Sequence, residues 1–402
     1  MSDIIDVLAG TPDHLAQLRY RRPEARENAQ LSFRALFEPE RPGEFPVAWR
    51  YAVATFVATI SGSARAGQFY RELLSEEDGG EALAVDVDKL AARGVSAGPY
   101  YDGGFVTFQP VGALDARLAA AFDFAHLLTF HPKDASPAAI GHLQEAGWGE
   151  DAIVSLAQLV SFLAFQMRVV HGVAVLAGAT GHAGEAVPRA AGVRDPGWRP
   201  GPRTLVPQVV APAGFVAHSL GWKPWLKDLP KEDFTPRHIE ALIKPERIGS
   251  EYFRLLARDP EALKARTLTD LDIFYNTDGG LGRAERELAA TVVSRFNGCE
   301  YCASVHQARS KEEGGDAEAI DRLLDEGVAA DMGSAVWSEI RTAAVALTTT
   351  PPALSAGNIE RLREVGLDEL AIIDVINAAA FFNWANRLML TLGEPDVPKR
   401  LR

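Results

Sequence analysis

Cysteine is nearly absent from this chain: its 402 residues include two, Cys299 and Cys302. A disulfide framework spreads cysteines through a small secreted domain, and a bridge across so short a loop removes little unfolded-state entropy. A structural staple is therefore a poor reason for the pair. Positive charge is also short, with 41 Lys and Arg against 54 Asp and Glu and a formal net charge of -13. Such a surface repels phosphate backbones and anionic bilayers, so neither nucleic acid nor membrane is an expected partner. The opening MSDIIDVLAGTPDHL lacks the basic stretch, apolar run and small-residue cleavage site of a secretory signal, and a cytoplasmic location is expected. Long apolar runs are missing too. Ala152 to Phe165 and Leu370 to Phe382 fall short of the roughly 20 residues of a spanning helix and are interrupted by Ser155, Gln158, Asp374 and Asn377, so both read as buried core helices. No run shows strand alternation, and the expected fold class is all-α.

What is present is enough chain for two ordinary domains, 47% of it hydrophobic, and it carries signs of having been built twice. Arg21 to Phe37 lies over Arg258 to Phe274 without a gap, and His142 to Ile153 over Arg361 to Ile372; Phe162 then matches Phe381 and Arg168 matches Arg387. The expected organisation is a first helical domain over 1–177, a Gly/Pro-rich linker over 178–235 and a second helical domain over 236–402. The first copy has extra residues near Gly79 to Val111, where GVSAGPYYDGGF reads as a loop. The linker contains Trp198, Phe215, Trp222 and Trp225, which predicts that it lies packed across a domain surface.

The chemistry concentrates at one helix junction. Leu288, Val292, Val293 and Phe296 fall at steps of three and four on one helical face, and Asn297-Gly298 stops that helix. A new helix starts at once, which predicts Cys299 in its first turn, where unpaired N–H groups favour a thiolate. Cys302 follows one turn on, and His306 four residues later on the same face. Folding the two helices back about Asn297 and Gly298 brings Glu287 within about a turn of His306, where a carboxylate orients the imidazole and the imidazole serves the cysteine. Blander readings are a zinc half-site, for which no matching histidine pair is seen, two inert buried cysteines, and a Glu287 that merely complements a helix dipole.

Spaced as E-x11-C-x2-C-x3-H in a helical context, Glu287, Cys299, Cys302 and His306 resemble the signature of the AhpD-like alkylhydroperoxidases of the carboxymuconolactone decarboxylase superfamily. LGRAERELAATVVSRFNGCEYCASVHQAR and AAAFFNWANRLMLTLG are similar to its peroxidase-related branch. The resemblance covers the second copy and implies two tandem AhpD-like domains, the first without the active site. It further implies reduction of alkyl hydroperoxides through a dithiol/disulfide cycle, with no haem, flavin or metal and a dithiol, thioredoxin-like or dihydrolipoyl reductant. One thiolate takes the distal peroxide oxygen and the other resolves the sulfenic acid. Proximity to His306 points to Cys302 as the attacking thiol, while the first-turn position points to Cys299. Tyr301 stands where some members carry a second histidine.

In the first copy, matching Gly62 to Gly298 puts Ser63 over Cys299, Ala66 over Cys302 and Tyr70 over His306, with Arg50 or Tyr51 over Glu287 according to a one-residue choice of register. That copy reads as a packing module, in which His126 and His171 are core or interface histidines. Asn383, Trp384 and Arg387 lie on a helix that lines the active copy, Arg387 being structural because Arg168 repeats it. Assembly as a homo-oligomer, a trimer forming a pseudo-sixfold ring or a dimer, follows by analogy. Thiol–disulfide exchange and redox-sensitive binding use the same dithiol and are the alternatives to peroxidase activity; lactone decarboxylation makes no use of a CxxC pair.

Overall fold

The computed structural model describes residues 3–94, 98, 107–179 and 206–402. Among them are eighteen α-helices and one two-stranded sheet. The first half contains α1 (Ile4–Ala9), α2 (Asp13–Arg19), α3 (Pro23–Phe37), α4 (Val47–Ile60), α5 (Ala64–Glu76), α6 (Gly80–Gly94), α7 (Ala116–Phe130), α8 (Pro137–Glu145) and α9 (Glu150–Leu176). The second contains α10 (Pro236–Ala241), α11 (Glu251–Leu256), α12 (Pro260–Tyr275), α13 (Arg283–Asn297), α14 (Glu300–Glu312), α15 (Ala317–Glu326), α16 (Ala335–Thr348), α17 (Ala356–Glu364) and α18 (Glu369–Thr391). The helices of the two halves follow one another in the same order, and the halves pack chiefly through α9 on α18 and α3 on α12.

Local sequence explains the element boundaries. Proline occupies the first position of α3 and of α12, where no N–H is missed, and the Asp368 carboxylate caps α18 by accepting from the Ala371 N–H at 2.8 Å. α9 runs for 27 residues, longer than its apolar core suggests, and by length and composition alone it could cross a bilayer; its apolar window is entirely buried within the fold. The contact with α18 is aromatic: Trp384 lies 5.2 Å from Phe162 and 5.6 Å from Phe165, ring centre to ring centre, and its indole N–H donates to Gln158 Oε1 at 3.2 Å.

Arginines tie the halves together. Arg168 of α9 donates to the carbonyls of Thr348 and Thr349 at the end of α16, and Arg387 of α18 donates to the Thr129 carbonyl at the end of α7. Each half thus places a guanidinium on the carbonyl end of a helix in the other, where the dipole favours a cation. His171 is an interface histidine, 2.8 Å from the Leu354 carbonyl, and His126 lies in the core, 3.0 Å from the Gly94 carbonyl.

Two features go beyond what the sequence shows. The extra residues of the first half include a helix before the loop: Leu83, Val87 and Leu90 are buried at helical spacing and form the inner face of α6. The stretch GVSAGPYYDGGF itself lies outside the described residues except for Gly94 and Gly98. The linker is not without regular structure, because Gly221–Pro224 forms β1 and pairs antiparallel with β2 (Gly393–Asp396). Four residues are too few for alternation to register, and the partner strand lies at the far end of the chain. Trp222 of β1 is buried and donates to the Met389 carbonyl at 2.9 Å; Trp198 lies outside the described residues.

The best-satisfied buried ion pair joins Arg22 to Asp374. The guanidinium donates to both carboxylate oxygens at 2.9 and 2.8 Å, and Asp374 also accepts from the Leu281 N–H at 2.9 Å. Arg286 also reaches Asp374, at 3.3 Å, so removing Arg22 leaves the buried carboxylate with one cation in place of two. Arg22→Ala is expected to lower the unfolding free energy by about 3 kcal/mol in urea titrations, and a loss below about 1 kcal/mol would show that Arg286 compensates the carboxylate by itself.

Candidate functional site

Gly298 determines the geometry of the dithiol. It adopts φ 81° and ψ 20°, a left-handed conformation that glycine enters without a Cβ penalty, and it ends α13. Asn297 holds the turn from below, its amide donating to Asn386 Oδ1 at 3.0 Å. The chain reverses within three residues, and α14 packs back along α13.

Cys299 is the N-cap of α14, not a first-turn residue as the sequence suggests; the helix begins at Glu300, and Cys302 is the cysteine in its first turn. This removes the positional argument for Cys299 as the more acidic thiol. Both sulfurs are buried, with Cys299 2% and Cys302 5% exposed, and they lie within hydrogen-bond reach of each other. Burial raises the Cys299 thiol well above its ordinary value, and its hydrogen bond to Cys302 raises it further. Burial also opposes the Cys302 thiolate, but the donated Cys299 S–H, the His306 charge, the Asn386 amide and the Arg266 charge together pull that thiol below its ordinary value.

His306 lies two turns into α14. Its Nδ1 is 2.5 Å from Glu287 Oε2, and its ring packs edge-on against Phe382 at 4.2 Å and lies 5.8 Å from Phe274. Glu287 is fully buried and is held from its other side by Arg283 Nε at 3.4 Å. With Nδ1 engaged by the carboxylate, Nε2 is the ring atom left to exchange a proton with the dithiol. The structure therefore brings Glu287, His306, Cys302 and Cys299 into one cluster.

Three groups near the thiols are not visible in the motif. Arg266 and Asp270 of α12 and Tyr252 of α11 all lie within the electrostatic reach of Cys302 or His306. A signal was available in the gapless overlay of α3 on α12, where Arg266 and Asp270 stand over Ala29 and Phe33. The first half supplies Lys133, whose ammonium meets Glu300 at 2.7 Å beside Cys299. Described linker residues approach as well: Gln307 donates to the Ala217 carbonyl at 2.7 Å, and the Arg295 guanidinium lies 4.2 Å from the centre of the Phe215 ring.

The corresponding place in the first half is aromatic. Arg50 donates to the carbonyls of Phe45 and Leu36 just as Arg286 donates to those of Leu281 and Ile273. This fixes the register: Arg50 is the counterpart of Arg286, and Tyr51 occupies the place of Glu287. Tyr70, in the place of His306, donates to Gln166 Oε1 at 2.6 Å and packs on Phe37 at 5.0 Å. Among the described residues no group of three His, Cys, Asp or Glu side chains is placed to hold a metal ion. A cleft of about 1100 Å³ between the halves is lined by Glu38, Arg41, Asp259 and Lys264 and by none of the four motif residues.

Residues 260–346 match the sequence model of the carboxymuconolactone decarboxylase family, a stretch that runs from α12 into α16 and contains all four motif residues. Among solved structures, an uncharacterized peroxidase-related protein from Silicibacter sp. TM1040 is 26% identical, over 42% of this chain and 88% of that one. Its TM-score is 0.34, too low for the superposition to carry an argument. The comparison with curated proteins gives no match. Through residues 260–346 of its second half, the chain is similar to the carboxymuconolactone decarboxylase family.

Proposed function

We propose that the protein is a thiol-dependent peroxidase that reduces alkyl hydroperoxides through a Cys302/Cys299 dithiol cycle. The observation that carries this reading is the Glu287–His306 hydrogen bond whose imidazole charge acts on Cys302, one of two adjacent sulfurs and the one pulled below its ordinary value. The family match supports the coarser statement of a peroxidase-like or decarboxylase-family role.

On this reading the Cys302 thiolate attacks the distal oxygen of ROOH. The O–O bond breaks, an S–O bond forms, and a proton from His306 leaves with the alkoxide as ROH. Cys302 is then a sulfenic acid. Cys299, already within hydrogen-bond reach, attacks that sulfur and displaces water, which leaves a Cys299–Cys302 disulfide. A dithiol reductant, small-molecule or thioredoxin-like, supplies the two electrons and two protons that restore both thiols. Glu287 compensates the imidazolium charge without meeting substrate. Residues 1–177 serve as a degenerate copy that packs against the active one, and a homo-oligomer is the proposed assembly.

Cys302→Ser is expected to abolish consumption of cumene hydroperoxide, whereas Cys299→Ser permits one equivalent and stops at a sulfenic acid trapped by dimedone. Full turnover in both single variants would sink the proposal. His306→Gln removes the proton carrier and is expected to slow turnover about 10²–10⁴-fold with the thiols intact by titration. The pH profile has a definite sign. The thiolate form of Cys302 is lost as pH falls through a value below the ordinary thiol range, and Cys299→Ala removes a hydrogen-bond donor from that thiolate. Its midpoint for reaction with iodoacetamide should therefore move to higher pH; an unchanged or lower midpoint argues against the sulfur–sulfur hydrogen bond.

A further inference from the structure

Arg266 has no role in the motif, and its surroundings do not explain it as scaffold. The side chain is 6% exposed and its Nε has no hydrogen-bond partner; among the described residues no carboxylate lies within ion-pair distance of the guanidinium. It lies instead against rings, 5.1 Å from the centre of Phe381 and 5.9 Å from those of Tyr252 and Trp384. Aromatic faces do not neutralise a cation. A guanidinium cannot relieve burial by losing its proton, so an anion in the same dry region is needed to hold it.

Helix periodicity shows where that anion is. Arg266, Asp270 and Phe274 follow at steps of four on one face of α12, and Phe274 packs against the His306 ring. Phe381 continues the link, 6.0 Å from Phe382, which stacks edge-on against the same imidazole. The groups that face Cys302 are Tyr252 from α11, Arg266 from α12, Cys299, Tyr301 and His306 from the α14 segment, and the Asn386 amide from α18, while Asp270 faces Arg266, Arg247, His306 and Glu287. Glu287 is already engaged by His306 and Arg283. Asp270, one turn on from Arg266, lies beyond ion-pair distance of its guanidinium, and burial pushes its carboxyl up despite Arg266 and His306.

The molecule contains its own control. Scaffold arginines recur in both halves, Arg50 with Arg286 and Arg168 with Arg387, each on backbone carbonyls. Arg266 does not recur: its counterpart is Ala29, and that of Asp270 is Phe33, whose ring lies 6.4 Å from Tyr70 in the half without thiols. The buried cation is present in the half that has a sulfur pair and absent in the half that lacks it.

We propose that Arg266 is a positioning residue of the dithiol site, the buried counter-cation that the anionic form of Cys302 faces. The inference rests on the dithiol reading of the site and on no particular substrate, so its test uses no peroxide. Reduced full-length protein is treated with iodoacetamide from pH 5 to 10, and modification of Cys302 is followed by fragment mass spectrometry. In Arg266→Gln the reaction at pH 7 should slow about tenfold, the change in thiolate fraction that accompanies a midpoint one pH unit higher; Arg266→Lys should stay within about threefold of wild type.

If Arg266→Gln does not fold, the double variant Arg266→Ala/Asp270→Phe copies the pair already packed in the first half and should show the same slowing. A wild-type midpoint in either neutral variant, or a Lys variant shifted as far as the Gln variant, overturns the proposal. A shift in midpoint together with wild-type protein that consumes no hydroperoxide would leave Arg266 in this role and remove the peroxidase reading. Hydroperoxide turnover with no shift would do the opposite.

Discussion

The site depends on one backbone constraint, the left-handed residue at Gly298. α13 ends and α14 begins within three residues, so the chain must reverse at a point where a side-chain-bearing residue would be strained. Reversal lays the two helices side by side, and with it every distance in the cluster is set: Glu287 precedes the turn by about as many residues as His306 follows it, and their side chains meet. The same turn places Cys299 outside the helix and Cys302 inside its first turn. Two cysteines three positions apart thereby gain different surroundings, one acting as hydrogen-bond donor and the other accepting that bond and facing the His306 and Arg266 charges. Gly62 has a similar φ, 77°, at the equivalent place in the first half, where the turn serves packing alone.

Comparing the halves separates what the fold needs from what the chemistry needs. Both halves keep an arginine that fastens the loop before the hairpin to backbone carbonyls, and both keep an arginine that reaches across to a helix end in the other half. These groups have several backbone carbonyls as acceptors, and Arg286 alone of the four also reaches a carboxylate, that of Asp374 at 3.3 Å, as expected of cations that chiefly solve a backbone problem. The positions of the site differ in kind between the halves: Ser63, Ala66, Tyr70, Tyr51, Ala29 and Phe33 replace thiols, imidazole, carboxylates and guanidinium with groups that carry no charge. With Tyr51 stacked on Phe37 and Tyr70 packed against it, the space that holds reactive groups in one half is filled by rings in the other.

Much of this was legible in the sequence, because the informative signals were local. The Asn-Gly stop, the CxxC spacing and the offset of Glu287 from His306 all concern residues joined by one turn, and helix geometry converts such spacings into distances. The helical class followed from periodicity in the same way, and the inner face of α6 is written in Leu83, Val87 and Leu90 just before the glycine-rich stretch. Arg266 and Tyr252 were not legible from the motif because they arrive on α12 and α11, whose packing against α14 is a tertiary fact. β1 was not legible because its partner is the segment after α18.

Burial of the pair imposes a condition that the rest of the site must meet. Taking two thiols out of water raises both, and an unassisted pair would be inert at neutral pH. Assistance divided evenly between the sulfurs would favour two thiolates that repel each other in a region of low dielectric. The arrangement is uneven instead. One proton stays on Cys299 and is shared toward Cys302, while the imidazole, the Asn386 amide and the Arg266 charge favour charge on Cys302. A single negative charge suffices for the first step of a dithiol cycle, and the retained proton keeps the second sulfur out of competition until the first is oxidised. In the proposed cycle Cys302 loses its negative charge once it carries oxygen; the hydrogen bond and repulsion that help burial keep the proton on Cys299 are then relieved, and the neighbour that was a donor becomes the nucleophile.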